Sequence, residues 1–219
     1  KFKGAREVYA KYFSKEAESA DFENARIAAG GEIGKDITEI SCAYAAFNEF
    51  CTCKAPRGQK GRCNDITISE GTYAGTLVDF VNKIEEEITA RYPGIRVITN
   101  AYGETKVPPK TRSFNEGVVL LYCWNGCVNH SIAGDECSET GVATVGAANS
   151  PYCAVLGSNV KEKQYYLGWM EHCSQSYIWY YPTNIYYSLS PLSNTFKIYD
   201  DMRWFMENKA VGFYVVGTA

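Results

Sequence analysis

The sequence predicts an α/β protein whose mainly parallel sheet is built from βαβ units. Two observations predict it. Amphipathic helical segments alternate with short, nearly continuous apolar runs, the pattern of strands covered on both faces. The clearest helix, over residues 72–92, stops at Pro93-Gly94 and runs at once into a strand, which is the αβ half of a parallel crossover.

Taken in order, residues 5–22 set Val8, Tyr9, Tyr12, Phe13 and Ala17 near helical spacing, within an N-terminal helical segment over residues 1–35. Residues 37–44 read as a buried strand, and a long, polar, cysteine-bearing loop follows from about 45 to 71. The 72–92 helix places Leu77, Phe80, Val81, Ile84 and Ile88 on one face. Strands are expected over 95–101 and 118–123, and the segment between them, with Pro108-Pro109, has room for a short helix at most. A Gly/Ser/Ala-rich segment over 124–158 leads to a helix over 160–173 and a strand over 177–181. Residues 195–208 form an amphipathic helix through Phe196, Met202, Trp204, Phe205 and Met206, and 211–216 make the last strand. About five strands result, whereas an eight-stranded barrel typically needs ~250 residues. The 219 residues therefore suit one domain whose sheet is open, or is a piece of a barrel.

Composition narrows the partners. Net charge is −3 with Lys and Arg scattered, so nucleic acid is not expected, and no apolar run reaches membrane-spanning length. The chain starts at Lys1 without a signal-peptide pattern and reads as a processed or excised piece, which leaves localisation undetermined. Its 17 Tyr and 4 Trp suit a packed core and equally the apolar faces of sugars. Nine cysteines is an odd number, so at least one is free, bound to something or paired with another chain.

Several stretches then carry a resemblance in order and spacing. They are CTC at 51–53 with Cys63, GTLVDFVNKIEEEITARYPGIRV at 75–97, AYGETKVPPKTR at 101–112 and GVVLLYCWNGCVNHSI at 117–132. They continue with SYIWYYPTNIYYSLSPLSN at 176–194 and MRWFMENKAVGFYVVG at 202–217. Together they resemble the bacterial domain-of-unknown-function 4838 family, found in proteins with glycoside-hydrolase-like TIM barrels. The resemblance implies a partial or divergent TIM-barrel-like fold, with family-like βα units over residues 36–219. It also implies a carbohydrate-active site at the strand carboxyl ends. The chain departs from the family pattern where acids are expected: Tyr44-Ala45-Ala46 after the first strand, Asn125, Tyr180 and Val215 are all uncharged.

Glycoside hydrolysis usually requires two carboxyl groups across the scissile bond. The acids remaining near strand ends are in loops: Glu49, Glu104, Asp135 and Glu136. Glu49 and Glu104 are the catalytic candidates, against the commoner fate of a solvated loop glutamate. Binding alone asks less. Tyr102, Trp124 and Tyr181 supply stacking faces, and Asn125, His130 and Asn184 supply hydrogen bonds; Trp179, in mid-strand, reads as core. Cys127, His130 and Cys137 with Cys51, Cys53 or Cys63 make only a weak zinc pattern, because C-x-C-x9-C is unlike paired C-x2-C knuckles. No P-loop, G-x-S-x-G elbow or strand-to-helix G-x-G-x-x-G occurs, so neither a cofactor nor a metal is expected.

The leading expectation is a glycoside-hydrolase-like domain acting on or binding a carbohydrate, with catalysis in doubt because of the replaced acids. The alternative is a non-catalytic scaffold or interaction domain whose open sheet edge is covered by a partner chain or by a second copy in a homo-oligomer. The site expectation requires a parallel sheet, so that residues 102, 124 and 181 gather at one end.

Overall fold

The computed structural model describes residues 39–41, 65–127, 130–134, 159–182 and 195–216. The helix expected over residues 5–22 lies outside them, as do Glu49, Asn184 and most of the cysteine-bearing loop. The described strands are β1 (Glu39–Ser41), β2 (Arg96–Ala101), β3 (Val118–Cys123), β4 (Ser176–Tyr180) and β5 (Ala210–Val215). The helices are α1 (Asp65–Glu70), α2 (Ala74–Arg91), α3 (Asn159–Met170) and α4 (Thr195–Glu207), with a 3₁₀ turn at Gly103–Thr105. The five strands form one sheet in the order β1-β2-β3-β4-β5, and all four pairings are parallel.

Strand order equals chain order, so there is no point at which the winding reverses. The helices confirm it. Leu77, Val78 and Val81 of α2, Tyr166 and Trp169 of α3, and Phe205 of α4 share one core cluster with Val97, Leu120, Tyr122, Ile178 and Tyr180 of the sheet. One face of the sheet thus takes all three long helices, the arrangement of a barrel wall and not of a doubly wound sheet.

Two helix faces differ from expectation. Phe80 is 57% exposed, because the buried stripe of α2 runs through Leu77, Val81, Ile84 and Ile88 and leaves position 80 at its margin. In α4, Phe196 and Met206 are 88% and 64% exposed. The residues turned inward are Lys197, Asp201 and Phe205, at four-residue spacing. A buried ion pair therefore sets the face of that helix. The expected 45–71 loop also ends in structure, since Asp65–Glu70 is helical.

Buried polar groups clamp the connections. The Glu70 carboxylate accepts hydrogen bonds from the Lys110 and Thr111 backbone N–H groups (2.5 and 3.1 Å) and from the Thr111 hydroxyl (2.5 Å), tying α1 to the Pro108-Pro109 segment. The turn from α4 to β5 passes through Lys209 at φ 70°, a left-handed position rarely held by a side-chain-bearing residue. The Lys209 ammonium compensates by donating to the Met170 and Cys173 carbonyls at the end of α3.

Candidate functional site

Because every pairing is parallel, all strand carboxyl ends lie on one rim. Tyr102 follows β2, Trp124 follows β3 and Tyr181 follows β4. Residues 102, 124 and 181 thus gather at the same end of the sheet, as the site requires.

Side chains alternate across the sheet, and register assigns those on the face away from the helices. Arg96, Ile98 and Asn100 of β2 continue into Val119, Leu121 and Cys123 of β3, Tyr177 and Trp179 of β4, and Gly212 and Tyr214 of β5. Near the amino-terminal ends the Tyr177 hydroxyl donates to Glu39 Oε1 at 2.6 Å, and Arg96 donates to Glu39 and to the Tyr177 oxygen (3.1 Å). β1 and β4 stand three strand spacings apart, ~14 Å in a flat sheet. Side chains rising from the two strands meet across that span only where the sheet curls toward them. This face is concave.

Toward the rim the concave face becomes aromatic. Trp179 and Tyr214 stack with centroids 6.0 Å apart, Tyr181 tilts against Trp179 at 6.5 Å, and Tyr177 sets an edge toward Tyr214 at 6.5 Å. Gly212 makes room for this group, since a Cβ there would lie 2.9 Å from the Tyr177 ring. Two buried polar atoms on this face, Asn100 Oδ1 and Trp179 Nε1, have no hydrogen-bond partner. Such orphans are uncommon in folded proteins and mark places where a water, an ion or a ligand group belongs.

The side chains picked from sequence fall in three environments. Tyr102, Asn125, His130 and Tyr181 are half-buried at the rim, and Glu104 is exposed in the 3₁₀ turn beside Tyr102. Trp124 is 2% exposed and packs edge-on against Phe205, on the helix side. Its backbone N–H donates to the Trp179 carbonyl (3.0 Å). Glu49 and Asn184 lie outside the described residues. Trp179 stands on the concave face, where sequence reasoning assigned it to the core.

Reasoning from sequence missed the buried polar hubs that hold the rim. Asp201 accepts from Ser131 Oγ and the Ile132 N–H (both 2.8 Å), from the Tyr180 hydroxyl (2.6 Å) and from Lys197. Glu162 pairs with Lys106 (2.7 Å) and accepts from the Tyr122 hydroxyl (3.2 Å). Burial pushes the Tyr122 and Tyr180 hydroxyls up, and the facing carboxylates, Glu162 and Asp201, add to it, so both remain protonated donors. Burial also pulls the Lys106 ammonium below its ordinary value, and Glu162 opposes that shift. Asn159, at the start of α3, accepts from the Cys127 N–H (2.8 Å) and donates to the His130 carbonyl (2.8 Å). Within the loop so held, Cys127 Sγ lies 3.2 Å from His130 Nδ1. Cys51, Cys53, Cys63 and Cys137 lie outside the described residues, and among the described ones no three metal-ligating side chains converge.

Residues 33–219 match the family described as Domain of unknown function (DUF4838). The chain belongs to this family. No curated protein and no solved structure matches it. The DUF4838 match covers all the described strands and helices, so the whole singly wound sheet lies within the matched region. Among the described residues, no helix of this DUF4838 chain is long and apolar enough to cross a membrane.

Proposed function

We propose that this DUF4838 chain is a glycoside-hydrolase-like, carbohydrate-active domain that binds a glycan at the carboxyl rim of its concave face. One observation carries the reading: two orphaned buried polar atoms, Asn100 Oδ1 and Trp179 Nε1, share that face with the Trp179, Tyr214 and Tyr181 rings. Rings with a few fixed polar groups are what a sugar needs, because a pyranose has apolar C–H faces and a hydroxyl-bearing edge. Tyr102, Asn125, His130 and Asn184 extend the proposed binding surface. Of the two proposed catalytic acids, Glu104 stands beside Tyr102 at the tip of β2, and Glu49 follows β1 in sequence.

Titrating intrinsic fluorescence with a panel of oligosaccharides tests the binding claim; a saturable change is expected, and a flat response across the panel rejects it. A chromogenic-glycoside screen at several pH values tests catalysis. Turnover that survives both Glu49→Gln and Glu104→Gln would remove these two acids from the proposal.

A second reading, a scaffold or interaction domain, has its own support at the β5 edge. Val211, Tyr214 and Val215 there are 56%, 53% and 52% exposed, and residues 210–216 carry no charge. Uncharged apolar edges invite pairing with another strand, from a partner chain or a second copy. Light scattering that gives the monomer mass at every concentration would leave the homo-oligomer without support.

A further inference from the structure

Independently of the glycan reading, we infer that α4 pairs antiparallel with the α4 of a second copy of this chain, because its exposed stripe is complementary to itself when reversed. Phe196, Tyr199 and Met206 are the three most exposed large hydrophobic side chains among the described residues, at 88%, 67% and 64%. Exposed apolar residues scattered singly are ordinary, but these three share one helix face. With exposed Arg203 they recur at spacings of three, four and three residues, the seam of a two-helix coiled coil. Lys197, Asp201 and Phe205 hold the opposite face of α4 to the core.

Charge decides the direction. Parallel pairing would set Arg203 level with Arg203 of the second copy. Reversing one helix about position 201 sets Phe196 opposite Met206 and Tyr199 opposite Arg203, each contact occurring twice by symmetry. Within one chain the Arg203 guanidinium already lies 5.8 Å from the Tyr199 ring centroid and 4.0 Å from Asp200. Reversed pairing repeats both relations between chains, with a ring facing each guanidinium and Asp200 one residue along from that ring. The Met206 thioether against the Phe196 ring is likewise favourable. Two copies bring four rings of ~150–250 Å² each, and with both Met206 side chains the contact approaches the ~1,200 Å² at which specific interfaces begin. That size fits a weak, reversible dimer.

The test is analytical ultracentrifugation of the whole chain from micromolar to sub-millimolar concentration, on the unmodified protein and on two variants. Phe196→Lys and Met206→Glu each change an exposed position, so neither is expected to move the melting temperature. The unmodified protein is expected to pass from monomer to dimer mass as concentration rises. Each variant alone sets two charges against apolar partners and is expected to weaken the dimer by about tenfold or more. An equimolar mixture of the two is expected to recover it, because one Lys–Glu pair and one native pair then form across the reversed helices. Monomer mass throughout overturns the inference. A dimer that both variants leave intact, as pairing along the β5 edge would give, overturns the α4 contact. Variants that dissociate singly and stay apart when mixed overturn the reversed register.

Discussion

Glu70 is a buried carboxylate that works as a fastener. Burial alone would raise its pKa, but the Thr111 hydroxyl, the Lys110 and Thr111 amides and nearby Arg112 outweigh that and hold it below 4.5. A depressed folded-state value means the unfolded chain binds more protons between the two values. This contribution is therefore complete above pH 4.5 and is lost as pH falls through the folded value. Glu70→Ala is expected to cost about 1–3 kcal/mol in urea unfolding at pH 7, by leaving two part-buried amides and the Thr111 hydroxyl without their acceptor, and to flatten the acid limb of the stability curve. The thiols behave oppositely. Burial pushes Cys123 up to about 11, with Lys106 opposing the shift and Glu162 adding to it, and Cys173 up to about 12, with Lys209 opposing. At pH 8 about one part in a thousand of Cys123 is thiolate, so both should resist iodoacetamide in the native protein and react once it is unfolded. Their stabilising contribution is whole below pH 9 and erodes as pH climbs toward 11 and 12, because the unfolded thiols then ionise first.

Among elements, what sequence reveals depends on whether one chemical period dominates. α2 was legible because aliphatic residues recur along its buried stripe, and a misjudged Phe80 did not change the element. β3 was legible as a strand, yet its apolar run (VVLLYC) hides the alternation that sorts its two faces. Trp124 and Trp179 were therefore given each other's surroundings. Even-numbered residues from 118 to 124 face the helices, and odd-numbered residues 177 and 179 face away from them. α4 was found as a helix but turned wrongly, since hydrophobic periodicity cannot anticipate that Lys197 and Asp201 are inside. That pair yields a sharp prediction. Asp201→Ala strands Lys197, Ser131, the Ile132 N–H and the Tyr180 hydroxyl together, and should cost about 3–5 kcal/mol, read as a fall in melting temperature. Orphaned Asn100 Oδ1 had no sequence signal, because what defines it is the lack of a hydrogen-bond partner in its folded surroundings.

For the whole molecule, alternating helices and strands were enough to forecast a parallel sheet, since right-handed crossovers leave few alternatives. Curvature was beyond that forecast. It rests on Glu39, Arg96 and Tyr177, residues as far as 138 positions apart, whose meeting no local pattern encodes. That bond is a chord drawn across the arc of the wall. Shortening or cutting a chord changes the radius everywhere along the arc, including the mouth at the opposite end. Tyr177→Phe should thus cost only about 1 kcal/mol of stability, the worth of a single hydrogen bond. It should nevertheless loosen saccharide binding at a mouth the Tyr177 hydroxyl does not reach, a split that calorimetry and thermal melting would display side by side.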